Sequence, residues 1–596
     1  MFALLVSLAL VVATTLIFRI SYDTNDDVFL SMIAAGQGFC PAPDEHLVFT
    51  NVIIGHALKW LYTVAPDVPW YGCYLLAIHV LAQAAVLYVA LASDRAVGVA
   101  ESRAPEAVPR SASRLALYLV YFAVVELVLL NHLQFTTTAF VAAQGGLFLV
   151  GHAARRHSSS PAASVFAPLT AAVALVVLAG LVRLESLFMA LLVAAPLAVL
   201  ARQTLRRALV PVGAAAGVAA ALLTLATLTN RAAYDSDPRW HDFFAYNPLR
   251  CKFNDYQWTS YNSDTAPIFA AVGWSKNDHD MIAHWFFDEP NLYSQAKLRQ
   301  VLDAYPWKTA HLTGAYIGEV CRRLLQDRSV WCVLLALPFV LGVLAESVRA
   351  RRAVLSCAFM GLCLVVLLVL NNKRPPMRTY FPLLSFPLAV TLLFPARRAG
   401  PATLPAKAAE LPGRLQRAQA AWRAQSPWTR TAIVMLVVGL VMGLHREGRR
   451  SVRVVRNRAA LHAYLDELRA GPRKLCVCWE AAMPFELMSP LGNLDSWSGV
   501  SLVNLTWTQR TPWQEDIKRA FGITDLARAM CDSDDIVLVA NETHRQLFAR
   551  FAQEHFSADV EFVASRQVGE QGLAGHYQRR SGHNDTVRKP DPVISR

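Results

Sequence analysis

Charged side chains are scarce in this chain: Asp, Glu, Lys and Arg make up 17% of its 596 residues, where soluble domains carry about a quarter. Together with 54% hydrophobic residues and a mean hydropathy of +0.32, this excludes a disordered protein and argues against a cytosolic enzyme. No internal repeat is present, which sets aside solenoids and propellers. The first apolar segment lacks the basic n-region and the small-residue cleavage site of a secretory signal, so a retained first helix is expected. Acidic residues are also few, 44 against 57 basic, for a net charge of +13. Such a surplus points to nucleic acid or to a membrane until the Lys and Arg are located.

What the chain has in abundance is long apolar blocks, such as the run from Cys357 to Leu370. Crossing the hydrocarbon core takes about 20 apolar residues per helix. The segments that answer to this are 2–19, 71–92, 114–130, 135–151, 164–182, 186–201, 208–227, 329–347, 353–370, 379–395 and 429–445. The expected fold is mainly α: a polytopic membrane protein of about 11 transmembrane helices with a C-terminal extracytoplasmic α/β domain.

With the N-terminus inside, the inner loops carry Arg95, Arg103, Arg110, Arg114, Arg155, Arg156, Arg202, Arg206, Arg207, Arg349, Arg351 and Arg352, then a further run from Arg397 to Arg430. The short outer connections carry only Arg19, Lys59, Arg183, Lys373, Arg374 and Arg378. Positive charge prefers the cytoplasmic side, so this asymmetry sets the orientation. The basic surplus is thereby a topological signal, and no nucleic-acid partner is expected. Residues 47–64 are nearly long enough to span, but counting them would invert every later loop. They are read as an interfacial or re-entrant helix with Lys59 and Trp60 at headgroup level. The expected location is a bacterial inner (plasma) membrane.

Two domains follow: 1–445, with outer loops 20–70 and 228–328, and an extracytoplasmic 446–596 joined by the basic linker 445–458. In the tail, 474–480, 535–541 and 559–565 read as buried strands and 542–556 as an amphipathic helix. The tail holds no Gly-rich phosphate loop. Of the ten cysteines, Cys73, Cys332, Cys357 and Cys363 lie in spans, and the others fall where a disulfide is permitted. Cys476 and Cys478 lack zinc-knuckle spacing, and in a strand both thiols face one side.

The densest polar cluster follows the first span: Ser21-Tyr22-Asp23-Thr24-Asn25-Asp26-Asp27, leading into a helical apolar face. Asp and Asn cap helices and complement the positive end of the macrodipole, which is the plain reading. Capping needs one such residue, however, and here a whole run precedes the helix. A second acidic group, Asp44-Glu45-His46, lies in the same loop.

A carboxylate in the first outer loop, just after the first helix, resembles the C-type (GT-C) superfamily of integral-membrane glycosyltransferases. That superfamily includes lipid-A aminoarabinose transferases, protein O-mannosyltransferases and oligosaccharyltransferases. The outline of many spans, two structured outer loops and a C-terminal extracytoplasmic domain extends the resemblance over the whole chain. At motif level it rests on Asp26-Asp27. The stretches SYDTNDDVFLSMIAAGQG and GWSKNDHDMIAHWFFDEP are also similar to bacterial membrane proteins of this type.

The resemblance implies transfer of a sugar from a polyprenyl-phosphate donor to a glycan, lipid or protein acceptor. Asp26 or Asp27 would be the general base. Lys373, Arg374, Arg378 and Tyr380, in a loop stiffened by two prolines, would hold the donor phosphate, with Arg183 as a further candidate. The alternatives are interfacial anchoring for the loop and a neutral Arg183–Glu185 pair. Asp44, Glu45, His46, Asn131, His132 and Gln134 are candidates for acceptor or sugar binding; for the last three, hydrogen bonds between helices are the favoured alternative. Glu126, within a span, is expected to face the bundle interior.

No cofactor is certain. Some superfamily members use a divalent metal, and Asp278, Asp280 and His284 offer ligands. If 277–288 is helical, Asp280 and His284 share a face as i, i+4 neighbours; a solvated polar helix is the alternative. Rival functions are a lipid-linked saccharide flippase or transporter, a polysaccharide polymerase or ligase, and a scaffold. A transporter calls for ionisable groups at the bilayer midplane, whereas the polar clusters here fall at outer helix ends.

Overall fold

Apolar side chains leave a lipid-embedded backbone only its own polar groups to bond, so each block folds as a helix. A computed structural model describes residues 1–95, 110–157, 163–256, 258–306, 314–343, 348–371, 376–394, 427–472, 474–492 and 497–580. It opens with α1 (Phe2–Phe18), β1 (Ser21–Tyr22), α2 (Asn25–Ala35), α3 (Val52–Val64) and α4 (Trp70–Arg95). Then α5 (Arg110–Tyr121) passes through a π-helical turn at Phe122–Glu126 into α6 (Leu127–Asn131), followed by β2 (His132–Leu133). Next come α7 (Phe135–His157), α8 (Ala163–Val182), α9 (Leu184–Leu200), α10 (Arg202–Arg207) and α11 (Leu209–Asp235). The long loop holds α12 (Pro238–Arg250), α13 (Ala266–Ala270), α14 (Lys276–Ala283), α15 (Gln295–Ala304) and α16 (Gly314–Gln326). The bundle closes with α17 (Arg328–Val343), α18 (Val348–Asn371), α19 (Met377–Val390) and α20 (Pro427–Ala470).

Within the described residues every apolar block is built of helix, and the protein is a polytopic helical membrane protein. By length and composition, Trp70–Ala92, Arg114–Asn131, Val165–Val182, Leu209–Asp235, Val348–Leu370 and Arg430–Ala470 are each long enough to cross a membrane. Side chains such as Val210, Leu225 and Phe359 point outward, as lipid contact requires. By contrast α7 is buried on nearly all sides: its Thr and Gln positions are buried, and Gly145 and Gly146 face neighbouring helices. The short α3, with Trp60 exposed, is too brief to span.

The helix ends gather at two faces. At one, Arg114 donates to the Leu392 carbonyl and Arg349 to that of Leu200. At the other lie β1, the start of α7, the α8–α9 turn and the start of α17. There β1 pairs in parallel with β2, Ser21 with His132 and Tyr22 with Leu133, which joins the end of α1 to the end of α6.

The basic stretch 445–458, read above as a linker, is the uninterrupted continuation of α20. Beyond it lies a five-stranded sheet of β3 (Leu475–Trp479), β4 (Ser501–Leu505), β5 (Ile536–Ala540), β6 (Val560–Val568) and β7 (Gly572–Arg579), in the order β4-β3-β5-β7-β6. The first three strands are parallel, and β7 is antiparallel to β5 and to β6. Helices α21 (Pro512–Ala520), α22 (Leu526–Asp532) and α23 (Glu542–Phe556) complete this α/β unit. It is seated on the bundle: a Cβ at Gly72, in the first turn of α4, would lie 1.8 Å from the Pro490 carbonyl oxygen. All ten cysteines are free.

Inside the bundle, the π-helical turn widens the helix at Glu126 and presents its carboxylate to α4. Glu126 Oε1 lies 2.5 Å from His79 Nδ1, its Oε2 accepts from Gln83 at 2.6 Å, and His79 Nε2 lies 3.0 Å from the Thr138 hydroxyl of α7. All four side chains are buried, so the expectation for Glu126 holds.

Candidate functional site

The backbone N-cap of α2 is Thr24, which makes no side-chain capping bond, so the Asp26 and Asp27 carboxylates are used otherwise. They still sit in the first turn, where the macrodipole favours negative charge. One residue of helix is about 100° of rotation, and that turn separates them. Asp26 Oδ1 accepts the Trp507 indole N–H at 3.0 Å, and its Oδ2 lies 3.6 Å from the Arg378 guanidinium. Asp27 faces inward: Oδ1 accepts the Tyr71 hydroxyl and the Phe135 backbone N–H, both at 3.0 Å, while Oδ2 is buried without a partner. Burial, reinforced by the Asp26 charge, pushes the Asp27 carboxyl well above the usual carboxylate range.

A polar layer surrounds them. Burial pushes Asp23 upward, but its 3.0 Å hydrogen bond with His132 Nδ1, with Arg378 and Arg450 nearby, outweighs that and holds the carboxyl low. From α20, Glu447 Oε2 accepts from Asn131 at 3.0 Å and lies 3.9 Å from His132 Nε2. Arg450 donates to the carbonyls of Asn131 and Tyr22. Asp327 accepts from Arg446 at 3.2 Å and from the Tyr380 hydroxyl. Arg183 pairs with Glu185 at 3.0 Å and lies over the rings of Phe49 and Phe135, 5.3 and 5.5 Å from their centroids. Phe49 meets the Trp507 ring edge-on at 4.7 Å, so two rings, Phe49 and Trp507, connect Arg183 to Asp26.

The structure thus brings together Asp26, Asp27, Arg378, Arg183, Asn131, His132 and Tyr380. Lys373 and Arg374 lie outside the described residues. Gln134 has a local task, its Oε1 accepting the Thr136 and Thr137 N–H groups at the start of α7. Asp44, Glu45 and His46 lie at the other end of α2, where the Asp44 N–H bonds the Ile33 carbonyl. There Asp44 accepts from the His46 ring at 2.7 Å, Glu45 accepts from Lys59 at 2.6 Å, and His46 stacks on Trp240. Burial lowers the His46 affinity for protons, but Asp44 prevails and the net shift is upward.

The expected cluster of Asp278, Asp280 and His284 does not form. Helix α14 ends at Ala283 with His284 as its C-cap, whose N–H still bonds the Asp280 carbonyl at 2.9 Å, but the two side chains part to different partners. Asp278 closes a capping box with Ser275 and accepts from His555 at 2.7 Å. Asp280 pairs with Lys276 and His279; these outweigh its burial and hold it at about 2. His284 turns to Glu480 and His544. The site residues that the sequence did not reveal are Trp507, Asp327, Arg446, Glu447 and Arg450. The last three stand on one helix; reading 445–458 as helical would have placed Arg446 and Arg450 on one face, four residues apart.

No protein-family model matches the sequence, and none of the curated proteins does. Among solved structures, the crystal structure of ArnT from Cupriavidus metallidurans in the apo state aligns with 96% of this chain over 97% of its own, at 11% identity and a TM-score of 0.39. At that score the likeness is one of outline.

Proposed function

We propose that this protein is an integral-membrane glycosyltransferase that moves a sugar from a polyprenyl-phosphate donor to an extracytoplasmic acceptor: a cell-surface glycan, a lipid or a protein. The observation that carries the reading is the 3.6 Å approach of Asp26 to Arg378, a proton acceptor beside a phosphate-binding group, at helix ends roofed by the α/β unit. The environments of the two neighbouring carboxyls divide their roles. Asp26, partly exposed and beside a cation, takes the proton of the acceptor hydroxyl. That oxygen bonds to the anomeric carbon as the carbon–oxygen bond to phosphate breaks. The leaving phosphate is held by Arg378 and Arg183, and Lys373 and Arg374, a few residues earlier in sequence, are proposed as further phosphate partners. Asp27, buried and accepting from the Tyr71 hydroxyl and the Phe135 N–H, positions Tyr71 and the start of α7. The face bearing these groups is the periplasmic side of an inner membrane.

A flippase reading draws on one observation, the buried His79–Glu126 pair. Purified protein incubated with labelled polyprenyl-phosphate sugars separates the two. Release of sugar to an acceptor by the wild type, and not by Asp26→Asn expressed at the same level, is the expected result. Movement of intact donor across a vesicle without sugar release, or full release by Asp26→Asn, overturns the proposal.

A further inference from the structure

Three clusters of potential metal ligands occur among the described residues: Asp44–Glu45–His46, Asp278–Glu554–His555 and His284–Glu480–His544. In the first, Glu45 is taken by Lys59, and Asp44 by the ring and backbone N–H of His46. In the second, both Asp278 oxygens are taken, by Ser275 and by His555. In the third, no Lys or Arg is paired with the carboxylate, and two imidazoles converge on it.

The segments that deliver these three ligands are far apart in sequence. His284 follows α14 in the long loop, Glu480 follows β3, and His544 stands in the first turn of α23. Trp479 organises them: its ring stacks on His544 at 4.9 Å with planes 8° apart, and its indole N–H bonds the His284 carbonyl at 2.6 Å. Glu480 has φ +51° and Trp285, next to His284, has φ +67°, a left-handed conformation that non-glycine residues seldom adopt and that recurs at ligand sites.

The distances suit a first-row metal. Zinc bonds His nitrogen and carboxylate oxygen at about 2.0–2.2 Å, which puts neighbouring ligand atoms of a tetrahedron about 3.3 Å apart. His544 Nε2 lies 3.0 Å and His284 Nδ1 4.0 Å from the same Glu480 oxygen, and all three ligand atoms lie within 4.8 Å of one another. The His544 side chain is 1% exposed, held by its stacking on Trp479, whereas that of His284 is 44% exposed and reaches the cluster from the solvent side.

We infer that His284, Glu480 and His544 form a zinc-binding site that clamps the long loop to the C-terminal α/β unit. Two imidazoles and one carboxylate are a borderline-soft set that selects zinc over magnesium or calcium. The site is independent of the transfer chemistry proposed above.

The full-length protein in detergent, stripped with a chelator and titrated with zinc alone, is expected to bind one equivalent per chain. Cobalt in its place should give the visible absorption of a tetrahedral ion. His284→Asn changes an exposed side chain and leaves folding intact. It should weaken zinc by at least the roughly tenfold that loss of an outer-shell partner costs, and it should abolish the cobalt band. Glu480→Gln should do the same, and His555→Ala, in the neighbouring cluster, should leave both signals unchanged. Absence of saturable zinc uptake by the wild type, or unchanged affinity in His284→Asn, overturns the assignment. A loss of zinc in His555→Ala equal to that in His284→Asn does so too.

Discussion

Asp27 and Glu126 are both fully buried carboxyls in a helical membrane protein, yet their surroundings are opposites. Glu126 lies in a closed knot in which each oxygen has a partner, supplied by His79 and Gln83 of α4, with Thr138 of α7 behind. Asp27 belongs to a layer assembled from the first loop, α4, α7, α17, α19, α20 and the C-terminal unit. Several buried polar atoms there have no hydrogen-bond partner: Asp27 Oδ2, Asn131 Oδ1, His132 Nε2 and Glu447 Oε1. The knot leaves only Gln83 Oε1 without a partner, so its carboxylate is saturated and serves to fix helix packing. An unsaturated layer retains hydrogen-bonding capacity, and its groups come from segments that a substrate can pull together.

The largest test of this contrast is chemical. A general base contributes about 10²–10⁴-fold, so Asp26→Asn should lose transfer by that factor in the labelled-sugar assay while Asp27→Asn loses less than about tenfold. The reverse ranking would exchange the two roles. Next comes the knot: Glu126→Leu leaves His79 and Gln83 without their acceptor, and breaking a buried pair costs about 3–5 kcal/mol. Thermal unfolding in detergent should shift accordingly, with transfer per folded molecule unchanged. The double replacement with His79→Leu should recover much of the loss. A defect in transfer with normal stability would instead make the knot functional.

Arg378→Gln should be milder. A hydrogen bond to a charged group is worth about 1.5–3 kcal/mol, which should appear as about a 10- to 150-fold rise in the KM for donor at small cost in stability. The smallest effect concerns pH. Asp27 has its carboxyl raised in the folded state, so the stability it contributes is complete below the unfolded value of about 3.9. That contribution is lost as pH climbs through the raised folded value. Wild type should therefore lose unfolding temperature relative to Asp27→Asn as pH is raised from about 4; parallel curves would show that folding leaves the proton affinity of Asp27 unchanged.

Much of the architecture was legible because lipid imposes length: each apolar block became a helix, and the amphipathic 542–556 became α23 with those bounds. The edge strand β4 and the final β7 were not seen, since neither carries the alternation of a half-buried strand. Asp26 and Asp27 were legible as part of a dense polar run just after the first span, and Arg378 as an outer-loop cation against the positive-inside pattern. Trp507, Asp327 and Glu447 were not, because each acquires its role from a partner more than fifty residues away, and no local spacing records that. The trio around Asp278 failed although its helical spacing holds, because partners distant or adjacent in sequence claim each side chain: His555 takes Asp278, Lys276 takes Asp280 and Glu480 draws His284 away.

Helix α20, 44 residues or about 66 Å long, gives the molecule a phase. Below position 445 it packs among the bundle helices. Above that it is bolted to the loops by Arg450 and Arg458, whose guanidinium groups reach the Tyr22 and Ile20 carbonyls. Each residue added between these halves would rotate everything beyond it by about 100° and lift it about 1.5 Å. The α/β unit is therefore not a tethered passenger. Its azimuth is set by residue count, and Trp507 meets Asp26 only at the present count.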